Sequence, residues 1–342
     1  MAEQEITIYD IAKEAGVSPA TVSRVLTNNA RVSESKRARV EEVIRKHDFR
    51  PNAVARGLST STRLLGLMTA DIRNPYYATL AVECEKAANA RGYTVLLCNM
   101  LNDKDVEVAH LEKLYAQRVE AIIQIGCRVD DLVTDQAYAE RVNRVVKKIP
   151  FIASGKLDGT DCYSVRIDHA LSMKLVMDYL VSLGHRDIAL FGGEMRVQST
   201  FEKYQQYIYF LGAHGLKFRA DFVLEGNYAD SGGYDCMKRL LLHEQRPTAV
   251  IAINDYSAVG AMRAAFECGI SIPGDISIVS FDNTFLSDAV IPKLTSVDYD
   301  YPEFGKILIE TAIEATGPDA PLKQQFVSPN LVVRDSCASI RA

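Results

Sequence analysis

Apolar residues near the amino terminus repeat at helical spacing and predict a short first helix that ends in a tight corner. Thr7 can cap this helix, and Asp10 lies near its positive end. Gly16 suits the corner because glycine adopts the left-handed conformation that a sharp turn requires. The residues on the apolar face are Ile8, Ile11, Ala12 and Ala15.

Two further helices are predicted in the same region. Ser18 can cap a second helix over residues 19–26, and Pro19 suits its first turn. A third helix is expected over residues 34–47, with Ser33 as its cap. The residues expected to form a small three-helix core are Val22, Val25, Leu26, Val40, Val43 and Ile44.

After the polar segment 59–62, the pattern changes to short continuous apolar runs separated by amphipathic stretches. Such runs are typical of strands buried on both faces of a parallel sheet. They occupy residues 64–70, 93–99, 120–126, 150–154, 187–193, 248–254 and 275–281. The intervening helices are expected at 77–91, 106–117, 171–183, 201–214, 233–243 and 257–268. This alternation predicts a doubly wound α/β fold in two similar halves, with a cleft where they face each other.

The amino-terminal helices have the pattern of a helix-turn-helix, whose second helix enters the major groove of DNA. The residues assigned to DNA are Thr7, Ser18, Pro19, Ala20, Thr21, Ser23 and Arg24. Because Pro19 and Ala20 are short and apolar, direct readout would depend on Thr21, Arg24 and a methyl contact from Ala20. The alternative is a three-helix unit whose polar face is simply solvated.

The distribution of charge separates the two parts of the chain. The first 63 residues carry 11 Lys and Arg against 8 Asp and Glu, whereas the remainder carries 28 against 36. Only the amino-terminal part therefore favours contact with phosphates, which would fix the register on DNA without reading its sequence.

The segment FRPNAVARGL, residues 49–58, resembles the lactose-repressor and purine-repressor (LacI-type) family of bacterial regulators. The resemblance implies a hinge helix that orders on operator DNA, with Leu58 inserted into the minor groove. Asn52 and Ala55 would lie against the groove, and Arg56 would approach a phosphate. An apolar wedge unstacks a base step at a cost of a few kcal/mol, which further contacts must offset. The alternative for Leu58 is ordinary packing.

The similarity continues through three long segments, 180–193, 253–283 and 294–300. It implies a core like that of periplasmic sugar-binding proteins, in which three crossovers join two subdomains. The expected domains are a head at 1–50, a hinge and linker at 51–63, and an effector-binding and dimerisation core at 64–342. Within the core, the N-subdomain is expected at about 64–163 and 298–326, and the C-subdomain at about 164–297 and 327–342.

The resemblance also implies a set of effector-binding residues in the cleft. These are Tyr76, Tyr77, Asp168, Lys203, Tyr228, Asn254 and Asp282. Aromatic faces combined with carboxylate and amide groups suit a polyhydroxylated ring, so the expected effector is a sugar or sugar derivative. For the tyrosines the alternative is plain core packing, and for Asn254 and Asp282 it is capping at a strand end.

Three positions depart from the family pattern. Lys203 stands where the family commonly carries Arg, Gly155 where an acidic or polar residue is frequent, and Ser280 where Gly is frequent. Lys203 together with Arg128 or Lys156 could favour a phosphorylated or acidic sugar, and the alternative is that these are rim charges. A nucleoside or a protein partner are further alternatives for the effector.

Composition narrows the class of protein. The chain has 342 residues, no apolar run of membrane-spanning length and a polar, acidic amino terminus, which predicts a cytoplasmic location and argues against an exported solute-binding protein. Seven cysteines without a C-x-x-C pair predict reduced thiols. The six histidines lack metal-ligand spacing and no nucleophile elbow is present, so neither an enzyme, a metal nor another cofactor is expected.

The carboxyl-terminal residues carry no leucine heptads that would predict a tetramer, and a homodimer is expected. A dimer would bind double-stranded operator DNA at a pseudo-palindromic site. The sequence thus predicts a transcriptional regulator, with repression controlled by a small-molecule effector as the expected mode. Activation is the alternative, and induction and corepression both remain open.

Overall fold

The chain divides at Thr62 into an amino-terminal head, Met1–Thr62, and a core, Arg63–Ala342. The structure is a computed structural model, and it describes residues 6–26, 32–49, 62–317, 320–321 and 324–340.

Three helices build the head: α1 (Ile8–Ala15), α2 (Pro19–Leu26) and α3 (Glu34–Lys46). Their bounds agree with the predicted helices to within a residue. They bury Ile11, Ala12, Ala15, Val22, Val25, Val40 and Val43 in one small apolar core, and Leu26 and Ile44 pack partly buried against it.

Side-chain caps set the ends of the first two head helices. The Asp10 amide donates to the Thr7 hydroxyl, and the Thr7 amide donates to the Asp10 carboxylate at 2.9 Å. Gly16 ends α1 with a φ of 65°. The Ser18 hydroxyl accepts from the Thr21 amide at 3.3 Å. Ser33 occupies the predicted cap position of α3. Its side chain makes no capping hydrogen bond, so the prediction that it caps the helix through its hydroxyl was wrong.

The first half of the core alternates strands and helices around a parallel sheet. Its elements are β1 (Leu64–Thr69), α4 (Pro75–Ala90), β2 (Thr94–Asn99), α5 (Lys104–Ala116), β3 (Ala121–Ile125), a 3₁₀ turn (Cys127–Asp130), α6 (Gln136–Val146), β4 (Phe151–Ala153) and β5 (Tyr163–Ile167). A later strand, β11 (Gln324–Val327), completes the sheet in the order β11-β5-β4-β3-β1-β2. The helix α12 (Tyr301–Glu314) also returns to this half and packs against α4.

The second half repeats this arrangement. Its elements are α7 (His169–Ser182), β6 (Ile188–Phe191), α8 (Gln198–Ala213), a 3₁₀ turn (Ala220–Phe222), β7 (Val223–Leu224), α9 (Asp230–Leu240), β8 (Ala249–Ala252), α10 (Asp255–Glu267), β9 (Ser277–Asp282), α11 (Phe285–Ala289), β10 (Thr295–Asp298) and β12 (Asn330–Val332). The strand order is β12-β10-β9-β8-β6-β7, with β12 antiparallel to β10.

The chain crosses between the halves three times. The crossings follow Ile167, Asp298 and Val327, since β5 and β11 lie in the first sheet and β10 and β12 in the second. The first crossing therefore comes after the strand Tyr163–Ile167, and not at residue 163, where the subdomain boundary was expected.

Both sheets are buried on their two faces, as the continuous apolar strands predict. Apolar clusters lie on either side of each sheet and include Ile123 and Phe151 in the first half and Ile251 and Val250 in the second. Since parallel strands end together, loops from both halves collect at the carboxyl edges of the two sheets.

Candidate DNA interface and ligand cavity

The second head helix presents a small, largely polar surface. Val22 and Val25 face the core of the head, whereas the opposite side of α2 exposes Ser18, Pro19, Ala20, Ser23 and Arg24, with Thr21 partly buried. Burying one face leaves the other accessible to a groove.

Three of the predicted DNA contacts also serve the local fold. The hydroxyl of Ser18 lies 2.9 Å from that of Thr21. The Thr7 hydroxyl donates to Asp10 at 2.6 Å, and Thr7 is exposed at the start of α1. The predicted hinge contacts Asn52, Ala55, Arg56 and Leu58 lie outside the described residues.

The core contains a cavity of about 570 Å³ between its two halves. Its walls come from the loops and helix starts that follow β1, β3, β4, β6, β8 and β9, which is where doubly wound sheets bind ligands. The volume lies within the usual range for small-molecule pockets.

Six of the seven predicted effector residues lie in the cavity wall: Tyr76, Tyr77, Lys203, Tyr228, Asn254 and Asp282. Asp168 is not among the lining residues. Its carboxylate accepts from the Leu171 amide at 2.8 Å and caps α7. The neighbouring residue His169 lines the cavity instead.

A cluster of tyrosines forms an aromatic part of the wall. The ring of Tyr76 packs edge-to-face on Tyr77, with centroids 5.0 Å apart, and on Tyr299 at 6.2 Å. Burial raises the pKa of Tyr76 and Tyr77 well above the usual value, so both present neutral rings. Tyr299 also lines the cavity, and its hydroxyl is buried without a hydrogen-bond partner in the described structure. Tyr299 directly follows the end of β10 but was not predicted to line the cavity.

Hydrogen bonds hold Tyr228 and Asn254 in place. The hydroxyl of Tyr228 lies 2.7 Å from that of Thr200. The amide nitrogen of Asn254 donates to the Tyr228 carbonyl at 3.0 Å, and its amide oxygen accepts from the Ser257 amide at 2.9 Å. Asn254 therefore caps α10 as well as lining the cavity, which combines the binding and the capping interpretations of this residue.

Asp282 ends β9 in a strained conformation. Its φ of 100° lies in the region that favours glycine, at a cost of roughly 1–3 kcal/mol. Burial, together with the nearby charge of Asp255, raises the pKa of the Asp282 carboxyl to about 8. This shift favours the protonated carboxyl, which can both donate and accept a hydrogen bond.

Asp255 explains why Ser280 can occupy a position where glycine is frequent. The buried carboxylate of Asp255 accepts from the hydroxyls of Ser280 at 2.6 Å, Ser296 at 2.7 Å and Thr284 at 2.9 Å. These bonds join the ends of β9 and β10 to α10. Ser280 thereby anchors the strand that carries Asp282.

Arg128 and Lys156, the cationic residues expected to accompany Lys203 in the ligand site, are each paired with acidic residues. Arg128 pairs with Glu107 and, at 2.8 Å, with Asp135. Lys156 pairs with Asp158 at 2.7 Å and does not line the cavity. Gly155 does line it, and a side chain there would collide with the carbonyl of Val129, since a Cβ atom would lie 2.0 Å from that oxygen. No acidic residue could occupy position 155 without displacing this loop.

Asp130 joins the two halves across the cavity. Its carboxylate accepts from the amide of Ser199 at 3.1 Å and from its hydroxyl at 2.6 Å. Helix α8 begins after Val197, which cannot cap it, so Asp130 supplies the cap from the other half. Burial raises the pKa of the Asp130 carboxyl to about 6, against the lowering effect of these hydrogen bonds.

Two further contacts reinforce the connection between the halves. The Leu132 amide donates to the Arg196 carbonyl at 2.8 Å, and Arg166 pairs with Glu202. None of these contacts was predicted from the sequence.

Within the described ranges, no group of three or more His, Cys, Asp or Glu side chains could hold a metal ion. No helix in that part of the chain is long and apolar enough to cross a membrane.

A helix-turn-helix head followed by a two-sheet core with a cavity between its halves defines the class of DNA-binding regulators with a ligand-binding core. Residues 7–52 match the bacterial regulatory proteins of the lacI family, and residues 177–337 match the periplasmic binding protein-like domain.

The chain is 34% identical to catabolite control protein A of Priestia megaterium over 88% of this chain and 90% of that protein. It is 30% identical to the HTH-type transcriptional repressor PurR of Mannheimia succiniciproducens over 98% and 99%. The lac repressor dimer bound to operator and the anti-inducer ONPF superposes with a TM-score of 0.87 at 27% identity, over 98% of this chain and all of that one.

The chain belongs to the lacI family of bacterial regulatory proteins and is a DNA-binding transcriptional regulator. The predicted family and fold class are confirmed. The family consists of transcription regulators, so the solute-binding alternative was wrong.

Proposed function

We propose that the protein is a homodimeric repressor whose affinity for operator DNA is controlled by a small polyhydroxylated metabolite, a sugar or sugar derivative, bound in the cavity of the core. The observation that carries the proposal is the composition of the cavity wall. Aromatic faces from Tyr76 and Tyr228 stand with the polar groups of Asp282, Asn254 and Lys203. Stacking surfaces with hydrogen-bonding groups that can donate and accept suit a ring with several hydroxyls.

Operator recognition is assigned to α2 and the hinge. Pro19, Thr21, Ser23 and Arg24 would contact bases and phosphates, with Ala20 against a methyl group. Thr7 and Ser18 would position the helix. Asn52, Ala55 and Leu58 would form the minor-groove contacts of the hinge, and Arg56 would approach a phosphate.

Assembly and location follow from the same assignment. The superposed lac repressor is a dimer on its operator, which supports a homodimer and a pseudo-palindromic site for this protein. A regulator of transcription acts where the DNA is, in the bacterial cytoplasm, and no enzymatic step is assigned to the cavity.

The proposal is tested by fluorescence anisotropy on DNA that the protein selects from a random pool. Addition of sugars and sugar derivatives should change operator affinity for at least one compound, with loss of binding indicating induction and gain indicating corepression. Asp282→Ala should abolish the response and leave the ligand-free operator affinity intact. The control is Asp158→Ala, an exposed aspartate outside the cavity wall, which should respond like wild type. An unchanged response in Asp282→Ala would remove Asp282 from the ligand site.

A further inference from the structure

Among the described residues, six cationic side chains line the cavity, and five of them are neutralised by acidic neighbours. Arg73 pairs with Asp71 at 2.6 Å and Lys104 with Asp131 at 3.2 Å. Arg128, Arg166 and Arg196 pair with Glu107, Glu202 and Glu194, respectively. The sixth is Lys203, for which no ion pair or hydrogen bond is found among the described residues.

Lys203 is also deeply buried, with 6% of its surface exposed. Its ammonium lies 4.9 Å from the centre of the Phe281 ring. Burial lowers the pKa of Lys203, although Asp282 and Asp130 act in the opposite direction. An ammonium without a close counter-ion in such a place is costly, and a ligand can supply the missing partner.

The nearest acidic groups do not neutralise this ammonium by contact. Burial raises the pKa of the Asp282 carboxyl to about 8, which disfavours its charged form. The Asp130 carboxylate accepts both hydrogen bonds from Ser199 and caps α8. Glu202 pairs with Arg166.

His169 provides a second unsatisfied group on the same wall. It is the first residue of α7, and its Nδ1 atom is buried with no hydrogen-bond partner in the described structure. Burial, with the charges of Lys203 and Arg166, holds the pKa of the imidazole well below its usual value. His169 is therefore a neutral hydrogen-bonding group beside two cations. The amino-terminal end of α7, which it occupies, also favours negative charge.

We infer that Lys203, His169 and Arg166 form a subsite for an anionic group, a phosphate or a carboxylate, on the effector. The inference rests on the proposed function and narrows the effector to a charged sugar derivative. Lys203 would supply the direct ion pair, His169 a hydrogen bond, and Arg166, already paired with Glu202, longer-range attraction.

The test uses the full-length protein and inorganic phosphate as the first probe. Melting temperatures are measured in phosphate and in chloride at equal ionic strength, so that general screening is the same. Phosphate should stabilise wild type and Lys203→Arg, and should fail to stabilise Lys203→Met. Lys104→Met removes a lysine of the same wall that is already paired with Asp131, and this control should keep the phosphate response.

The second arm compares glucose, glucose 6-phosphate and glucuronate by calorimetry, which distinguishes a neutral ring, a phosphate and a carboxylate. Glucose 6-phosphate or glucuronate should bind more tightly than glucose. Lys203→Met should lower the affinity for the charged ligand by about tenfold or more. His169→Gln should lower the affinity for the charged ligand by a smaller factor. This variant tests the subsite while Lys203 is still present.

Absence of a phosphate response in wild type, or an equal response in Lys203→Met, would overturn the subsite. Preference for neutral glucose in wild type would overturn it as well. These outcomes leave the proposed function standing if a neutral sugar still alters operator binding. Failure of every sugar to alter operator binding, with phosphate binding intact, would instead contradict the proposed function.

Discussion

The cap that Asp130 places on α8 allows a prediction about stability and pH. The carboxylate accepts two hydrogen bonds from Ser199 on the opposite half, and the helix has no capping side chain of its own. A helix cap contributes about 1 kcal/mol. Against this, Asp130 must be desolvated to stay charged in the cavity wall.

The size of the opposing cost follows from the pKa of the Asp130 carboxyl, which rises from 3.8 to about 6. A shift of roughly two units corresponds to about 3 kcal/mol at pH values above 6, an upper limit because the cavity admits water. The folded state holds the proton more tightly than the unfolded state. The stabilisation due to this group is therefore fully present below about pH 4 and is lost as the pH rises through about 6.

Asp130→Asn keeps an oxygen acceptor for Ser199 and removes the charge. At pH 7.5 we expect its free energy of unfolding in urea to exceed that of wild type by up to about 3 kcal/mol, with a smaller difference at pH 4.5. Asp130→Ala removes the cap, and the amides of residues 199–201 should exchange hydrogen about fivefold faster, as about 1 kcal/mol implies.

The control is Asp103→Ala, which removes a cap of the same kind from α5 within one half. This change should speed exchange in α5 and leave α8 as in wild type. Equal pH dependence in wild type and Asp130→Asn, or unchanged exchange in α8 of Asp130→Ala, would refute the reasoning.

Three further predictions concern other parts of the molecule. Because the pKa of the Asp282 carboxyl is raised, we expect wild type to lose stability as the pH rises from about 4 to about 8, and Asp282→Asn should reduce this loss. Thermal melts across that pH range measure it, and an equal pH dependence of the melting temperature in both proteins would contradict the raised pKa. Arg128→Met leaves the fully buried Glu107 without its cation and should cost about 3–5 kcal/mol in urea unfolding, whereas a loss below about 1 kcal/mol would place the pair among surface ion pairs. Leu58→Ala should weaken operator binding more than binding to random DNA in anisotropy titrations, and an equal loss on both DNAs would contradict the minor-groove wedge.

Elements with strong local signals were predictable from the sequence. The continuous apolar strands such as β3 and β8, and the capped helix that ends at Gly16, appear where their patterns place them. The strands β5 and β10 were missed because they are short and carry polar residues. Helix α6 was missed although Tyr138, Ala139, Val142 and Val145 follow helical spacing after the cap Asp135.

The resemblance to the family predicted six residues of the cavity wall. Asn254 and Asp282 lie at or just after strand ends, whereas Lys203 lies within helix α8 and has no such position. Asp168 also follows a strand, but its carboxylate is used to cap α7. The pairing of Asp130 with Ser199 has no local signal, because the two residues come from different halves and meet only after folding.

The three crossings of the core have a consequence for the order of folding during synthesis. The head helices end at Lys46 and can form as soon as that segment leaves the ribosome. Each sheet of the core, in contrast, includes a strand from the end of the chain, β11 in the first and β12 in the second. Until residues 324–332 emerge, β5 and β10 each have an unpaired edge, which is open to association with other chains. A nascent chain therefore carries a folded DNA-binding head before either half of its ligand-binding core can be complete.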